Sequence, residues 1–168
     1  GGAGVATRWA GSVAPRCRRG VGCGFGGTAR LARVEARVGG KNGGKVGGYK
    51  NRAGCFAQPE FVVCDPAMLR SLPDREFRAG LAEVVKAALI ADGDLFAALE
   101  RASFEQLRTE NDQLCDILTS AIRVKADIVE LDERERGERR KLNLGHTLAH
   151  AIEKCSDRMK HGEAVAVG

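Results

Sequence analysis

A chain of 168 residues with 27 Lys/Arg against 22 Asp/Glu, 43% hydrophobic residues and 5% aromatics can bury one good core or parts of two. It carries no apolar run of transmembrane length and no secretory leader pattern, which excludes a membrane-spanning role and predicts a cytoplasmic protein. Its six cysteines form no C-x-x-C pair and no zinc-ribbon spacing, so they are expected as reduced thiols.

The charge is unevenly spread. Sixteen of the 22 glycines precede residue 55, and through Glu60 there are 11 Lys/Arg against 2 acidic residues, whereas the remainder holds 16 against 20. The break predicts two regions, residues 1–66 and 67–168. A basic first third invites a nucleic-acid reading, because Lys/Arg release counterions from phosphates. The aromatics there are chiefly Trp9, Phe25 and Tyr49 and form no stacking repeat, so no nucleic-acid partner is expected.

Residues 1–54 are punctuated by glycine and show weak periodicity. Glu60 to Asp65, EFVVCD, is rich in β-formers and follows Pro59, which predicts a strand. Leu72-Pro73-Asp74 then supplies a helix start with Asp74 as the expected N-cap. Ala79 to Ala91 is apolar on every face apart from Glu83 and Lys86, which predicts a helix buried all round. Those two residues have two readings, an internal i, i+3 ion pair or two groups aimed into a polar site.

Asp92-Gly93-Asp94 ends that helix, a short one runs to Arg101, and Ser103 to Gln106 fits a capping box opening one longer helix. Leu114, Ile117, Leu118, Ala121, Ile122, Ile128 and Val129 form its apolar stripe. Lys125 falls on the same stripe, either snorkelling to the helix end or awaiting an anion. Asp132 to Lys141, DERERGERRK, reads as a solvated turn around Gly137 that could wall a site.

Leu142 to Glu153, LNLGHTLAHAIE, contains no lysine or arginine and is expected as a buried helix. Its i, i+4 histidines, His146 and His150, share a face, with Glu153 one turn further along. Such a pair is either hydrogen-bonded in place or ligates a metal. His161, the third histidine, follows a short loop. The inward-looking polar residues are Glu83, Lys86, Lys125, Asn143, His146, His150 and His161. One carboxylate and two histidines make a zinc set with an open position, and the cations suit an anionic substrate. The residues alone reach a metal-dependent enzyme acting on an acidic small molecule.

The segments GLAEVVKAALI, VKADIVELDERERGERRKLNLGHTLAHAIE and HGEAVAVG resemble the 3-dehydroquinate synthase family, as does KNRAGCFAQPEFVVCD with LRSLPDREFRAGLAE. Upstream, VGGKNGGKVGGYKN, RLARVE and GGAGV resemble the family's glycine-rich segments more loosely. The resemblance implies a truncated Rossmann-like α/β NAD-binding domain (residues 1–66) followed by a truncated, mainly α-helical zinc- and substrate-binding domain (67–168). It implies zinc, or cobalt in its place, on Glu83, His146 and His161. Lys86, Lys125, Arg139, Asn143, Glu135 and His150 match catalytic and substrate-side positions, Lys125 and Arg139 as a clamp on a carboxylate. Arg19, Lys41 and Asn51 match substrate and phosphate contacts, Arg19 reaching the neighbouring subunit's site in a homodimer. Gly4, Val5, Lys50 and Met68, Leu69, Arg70 and Ser71 match NAD contacts.

The chemistry so implied belongs to the shikimate pathway. NAD oxidises a ring hydroxyl of 3-deoxy-D-arabino-heptulosonate 7-phosphate, phosphate is eliminated, the hydride returns, and ring opening with aldol closure yields 3-dehydroquinate. Other sugar-phosphate cyclases and metal-dependent polyol dehydrogenases share the architecture, but the run from Asp132 to Arg139 favours a carboxylate-bearing substrate. Departures from the family pattern cluster early: Arg8 replaces an acidic residue, Thr7 a glycine, Gly27 a proline, Glu35 an aspartate and Asn42 a threonine. The family's first strands and a late lysine have no counterpart, so the chain by itself is expected to be inactive.

Overall fold

The computed structural model describes residues 13–14, 24–27, 38–46, 49–155 and 158–168, with the main chain alone for 25–27, 41–46 and 49–56. Strands end at Cys64, and every helix with described bounds lies beyond it. β1 (Gly24–Gly27) and β4 (Phe61–Cys64) pair in parallel, with Gly24 opposite Phe61 and Gly27 opposite Cys64. Parallel pairing needs a crossover rather than a tight hairpin. β2 (Lys41–Val46) and β3 (Tyr49–Phe56) form an antiparallel ribbon with an irregularity between Gly44 and Val46. A full nucleotide-binding sheet is not among the described residues.

A 3-10 turn, Pro66–Leu69, leads into α1 (Asp74–Ala91). The N-cap of α1 is Pro73, which makes no side-chain cap bond, so Asp74 is not the cap. Asp74 occupies the first turn instead, where its charge favours the helix dipole and lies 3.3 Å from Arg108. Arg108 also donates to the carbonyls of Leu69 (3.1 Å) and Leu72 (2.9 Å), tying the turn to the helix bundle. α1 is not buried all round. Leu89 is exposed and Ile90 half-buried, because the helices packed on α1 cover only part of its circumference.

Asp92 ends α1 and caps α2 (Gly93–Arg101), its carboxylate accepting from the Leu95 amide at 2.8 Å. Ser103 and Gln106 form the expected reciprocal capping box on α3 (Phe104–Thr109). That helix does not continue, since Glu110 is extended and α4 (Asn111–Leu131) starts anew. Thr109 turns its hydroxyl back onto the carbonyls of Glu105 and Gln106, a local alternative to continued helix bonding. The core joins α1 to α4 around Phe77, Val84, Leu95, Leu107, Leu114, Ile117, Leu118 and Ile128. Val124 belongs to it, whereas Ile122 is only half-buried. Phe77 and Phe104 meet edge to face at 5.8 Å.

The apolar stretch from Leu142 is not one buried helix. Glu138–Asn143 is a 3-10 helix, Leu144 and Gly145 form a turn in which Gly145 has φ of 76°, and α5 (His146–Cys155) then begins. In α5, Ala149 and Ile152 pack on Ala164 and Val165 of α6 (His161–Val167), forming a second small core. Thr147, Leu148, His150 and Ala151 are exposed. Apolar composition sets the free-energy gain from burial, but neighbouring elements decide which face is covered.

Candidate metal centre

Three elements converge on the site. Glu83 projects from the middle of α1, His146 opens α5, and His161 opens α6. One ligand atom from each lies within 4.8 Å of the others. Glu83 Oε1 is 3.4 Å from His161 Nε2 and 4.0 Å from His146 Nε2. Ligands of a tetrahedral zinc at about 2.0–2.1 Å are separated by about 3.3 Å along each edge, a spacing that the Glu83–His161 pair meets and the Glu83–His146 pair approaches.

The outer ring atoms are held. His146 Nδ1 lies 3.1 Å from the Leu144 carbonyl oxygen, and His161 Nδ1 lies 3.1 Å from Glu153 Oε1. Each acceptor assigns the proton to Nδ1, which leaves both Nε2 lone pairs facing Glu83. Burial pushes the His146 imidazolium below its ordinary pKa, favouring the neutral ring a metal requires.

Glu83 and Lys86 form the internal ion pair, and Glu83 also approaches the histidines. The Lys86 ammonium is ion-paired to Glu83 Oε2, both side chains being 7% exposed, while Oε1 faces the histidines. Burial opposes ionisation of Glu83, but Lys86 first, then His146 and His161, outweigh it and hold the carboxyl below the usual range. A buried carboxylate with one oxygen neutralised and the other aimed at two imidazoles suits a cation.

His161 is fixed by a network at the start of α6. Arg75 forks onto Glu163 at 2.6 and 2.7 Å and onto the Arg158 carbonyl at 2.5 Å. Glu163 accepts from the Lys160 amide at 2.7 Å, and Lys160 pairs with Glu76 at 2.6 Å. The Arg75 hydrogen bonds, followed by that of the Lys160 amide, pull the Glu163 carboxyl down to about 2. Gly162 lies so close to α1 that a Cβ would collide with the Ala79 carbonyl.

An open pocket of about 640 Å³ is lined by Glu135, Arg140, Lys141, Asn143, Leu144 and Thr147, the last being the chain neighbour of His146. Asn143 donates to Glu135 at 2.8 Å, and Glu135 sits at φ of 60°, a sparsely populated conformation for a residue with a Cβ. The turn below is not simply solvated. Asp132 accepts from the amides of Arg136 (2.8 Å), Gly137 (2.7 Å) and Arg139 (3.2 Å), and these bonds, that of Arg136 foremost, lower its pKa. Arg139 is buried and donates to the carbonyls of Glu133 and Gly39, each at 2.5 Å. Its guanidinium bridges the helical part to the segment before β2.

His150 is exposed, its ring edge-on to His146 at 5.6 Å and stacked on His161 at 6.3 Å. Lys125 is half-buried on α4. Leu69 is buried in the core, leaving Met68, Arg70 and Ser71 as the exposed residues of its turn. Gly4, Val5 and Arg19 lie outside the described residues, as do the side chains of Lys41, Lys50 and Asn51. Sequence reasoning gave no role to Glu153, Arg140, Lys141 or Thr147. Only Glu153 carried a signal, its helical spacing from His146 and His150.

The 3-dehydroquinate synthase C-terminal family matches residues 80–168, and the 3-dehydroquinate synthase N-terminal family matches residues 1–79. A 3-dehydroquinate synthase of Legionella pneumophila is 45% identical over 169 residues, covering 99% of this chain and 46% of the relative. One from Nostoc sp. is 48% identical over 145 residues, covering 84% and 40%. Among solved structures, a 2-epi-5-epi-valiolone synthase from Streptomyces hygroscopicus with NAD+ and Zn2+ bound has a TM-score of 0.84 at 29% identity, covering 96% of this chain and 46% of that one. A 2-deoxy-scyllo-inosose synthase complexed with carbaglucose-6-phosphate, NAD+ and Co2+ has a TM-score of 0.83 at 28% identity, covering 98% and 46%. The chain thus spans less than half the length of the relatives it matches, and its fold is that of the sugar-phosphate cyclases. By both of its matched segments, it belongs to the 3-dehydroquinate synthase family.

Proposed function

We propose that the protein carrying this chain is a 3-dehydroquinate synthase, converting 3-deoxy-D-arabino-heptulosonate 7-phosphate to 3-dehydroquinate and phosphate with NAD and zinc. The carrying observation is the donor set Glu83, His146 and His161, its two outer ring nitrogens held. Relatives at 45–48% identity bearing that name support the substrate. Bound NAD would take and return a hydride, and bound zinc would polarise the alcohol being oxidised.

The chain's own residues hold and orient the substrate. Lys86 keeps Glu83 ionised as a ligand. Asn143, oriented by Glu135, offers hydrogen bonding at the pocket, and Lys125 with Arg139 engages the carboxylate. His150, exposed at the open side of the ring cluster, serves the leaving phosphate, with Lys41, Asn51 and a neighbouring subunit's Arg19 as further contacts. The NAD contacts are Gly4, Val5, Lys50 and the exposed residues Met68, Arg70 and Ser71. The reading includes a Rossmann-like domain over 1–66 and a helical domain over 67–168, a homodimer, and a cytoplasmic setting.

The test is phosphate release by the full-length protein supplied with NAD and zinc. Release from the heptulosonate, with dehydroquinate as product and loss of turnover on chelation, is expected. Turnover only of a neutral sugar phosphate would replace this reading with another cyclase activity.

A further inference from the structure

We infer that Glu153 is a positioning residue for the metal centre, holding His161 in the tautomer and orientation that ligation needs. The inference rests on the metal reading above.

His161 opens α6, and its side chain is 37% exposed. Its main chain is anchored through Glu163 and Arg75, but that network does not touch the imidazole. A half-turn about Cβ–Cγ would put Cε1 in place of Nε2 before Glu83 and Cδ2 in place of Nδ1, removing the ligand atom. What opposes this is Glu153 Oε1, 3.1 Å from Nδ1 and 23% exposed. A carboxylate there accepts a hydrogen bond from Nδ1–H and leaves Nε2 as the basic nitrogen. Glu153 comes from α5, the helix that carries His146, so one helix supplies a ligand and orients the other histidine. His146 needs no such residue, because the Leu144 carbonyl plays that part from the main chain.

The test compares the full-length protein with Glu153→Ala, Glu153→Asp and Glu153→Gln, reading zinc affinity by chelator competition and the visible spectrum after cobalt substitution. Glu153→Ala and Glu153→Asp are expected to weaken zinc by roughly 10- to 100-fold and to shift the cobalt bands. Glu153→Gln keeps an acceptor oxygen and is expected to recover much of the loss, which a merely structural role would not produce. Should Glu153→Ala fail to fold by circular dichroism, the aspartate, which retains charge but withdraws the oxygen, carries the comparison. Unchanged affinity and spectrum in the folded variants, beside a parent that binds one zinc, would overturn the role of Glu153 alone. A parent that binds no zinc would overturn the metal reading with it.

Discussion

At Gly162 a single methyl group would be felt at the neighbouring histidine. The collision it creates is with the Ala79 carbonyl, a main-chain atom of α1 that cannot swing aside, so α1 and α6 must separate. Overpacking of this kind costs about 1–3 kcal/mol, and here it also draws His161 away from Glu83. Gly162→Ala is therefore expected to lower the urea midpoint and the zinc affinity together. A variant with full affinity and lowered stability would show that α6 adjusts without moving its histidine. Single residues were also where the sequence was most legible. Glu83 and Lys86 announced themselves as charges inside an apolar helix, and the structure pairs them and brings Glu83 to the histidines. Arg75 could not be singled out, because its partner Glu163 is 88 positions away and meaningful only once α6 has docked on α1.

Elements were legible to the extent that their signals are local. The Asp92 cap and the Ser103 capping box act within three residues, and both form. The division of α3 from α4 and the break at Gly145 gave no such pattern in the sequence. In the turn between α4 and the 3-10 helix, one carboxylate, Asp132, gathers three amides, and those bonds depress its pKa. A carboxyl titrating lower in the folded chain than in the unfolded one stabilises above its unfolded pKa, about 3.9 for aspartate. That contribution is lost as pH falls further. Asp132→Asn is expected to flatten the decline in denaturation midpoint between about pH 5 and pH 2 relative to the parent, and parallel profiles would refute this assignment.

For the whole molecule, the main core and two of the three donors reside in different places. The core spans α1 to α4 and closes around Phe77, 1% exposed, whereas His146 and His161 sit on the smaller α5–α6 cluster. Phe77→Ala is expected to cost about 3–5 kcal/mol, a large share of a domain's typical margin of about 5–15 kcal/mol. His146→Ala forfeits one hydrogen bond, about 1 kcal/mol, while removing a ligand. Thermal unfolding with zinc titration separates them, and equal destabilisation would mean that the two clusters fold as one. The outward face of α5 was the largest misreading at this scale, because Thr147, Leu148 and Ala151 do not reveal which neighbours cover them.

The sequence contains three histidines, and all three rings gather with centroids 5.2–6.3 Å apart. In the proton magnetic resonance spectrum of this chain, every imidazole signal would therefore come from the cluster. Metal arrival, ring flips and ligand exchange could be followed there in unlabelled protein, each histidine reporting on the other two.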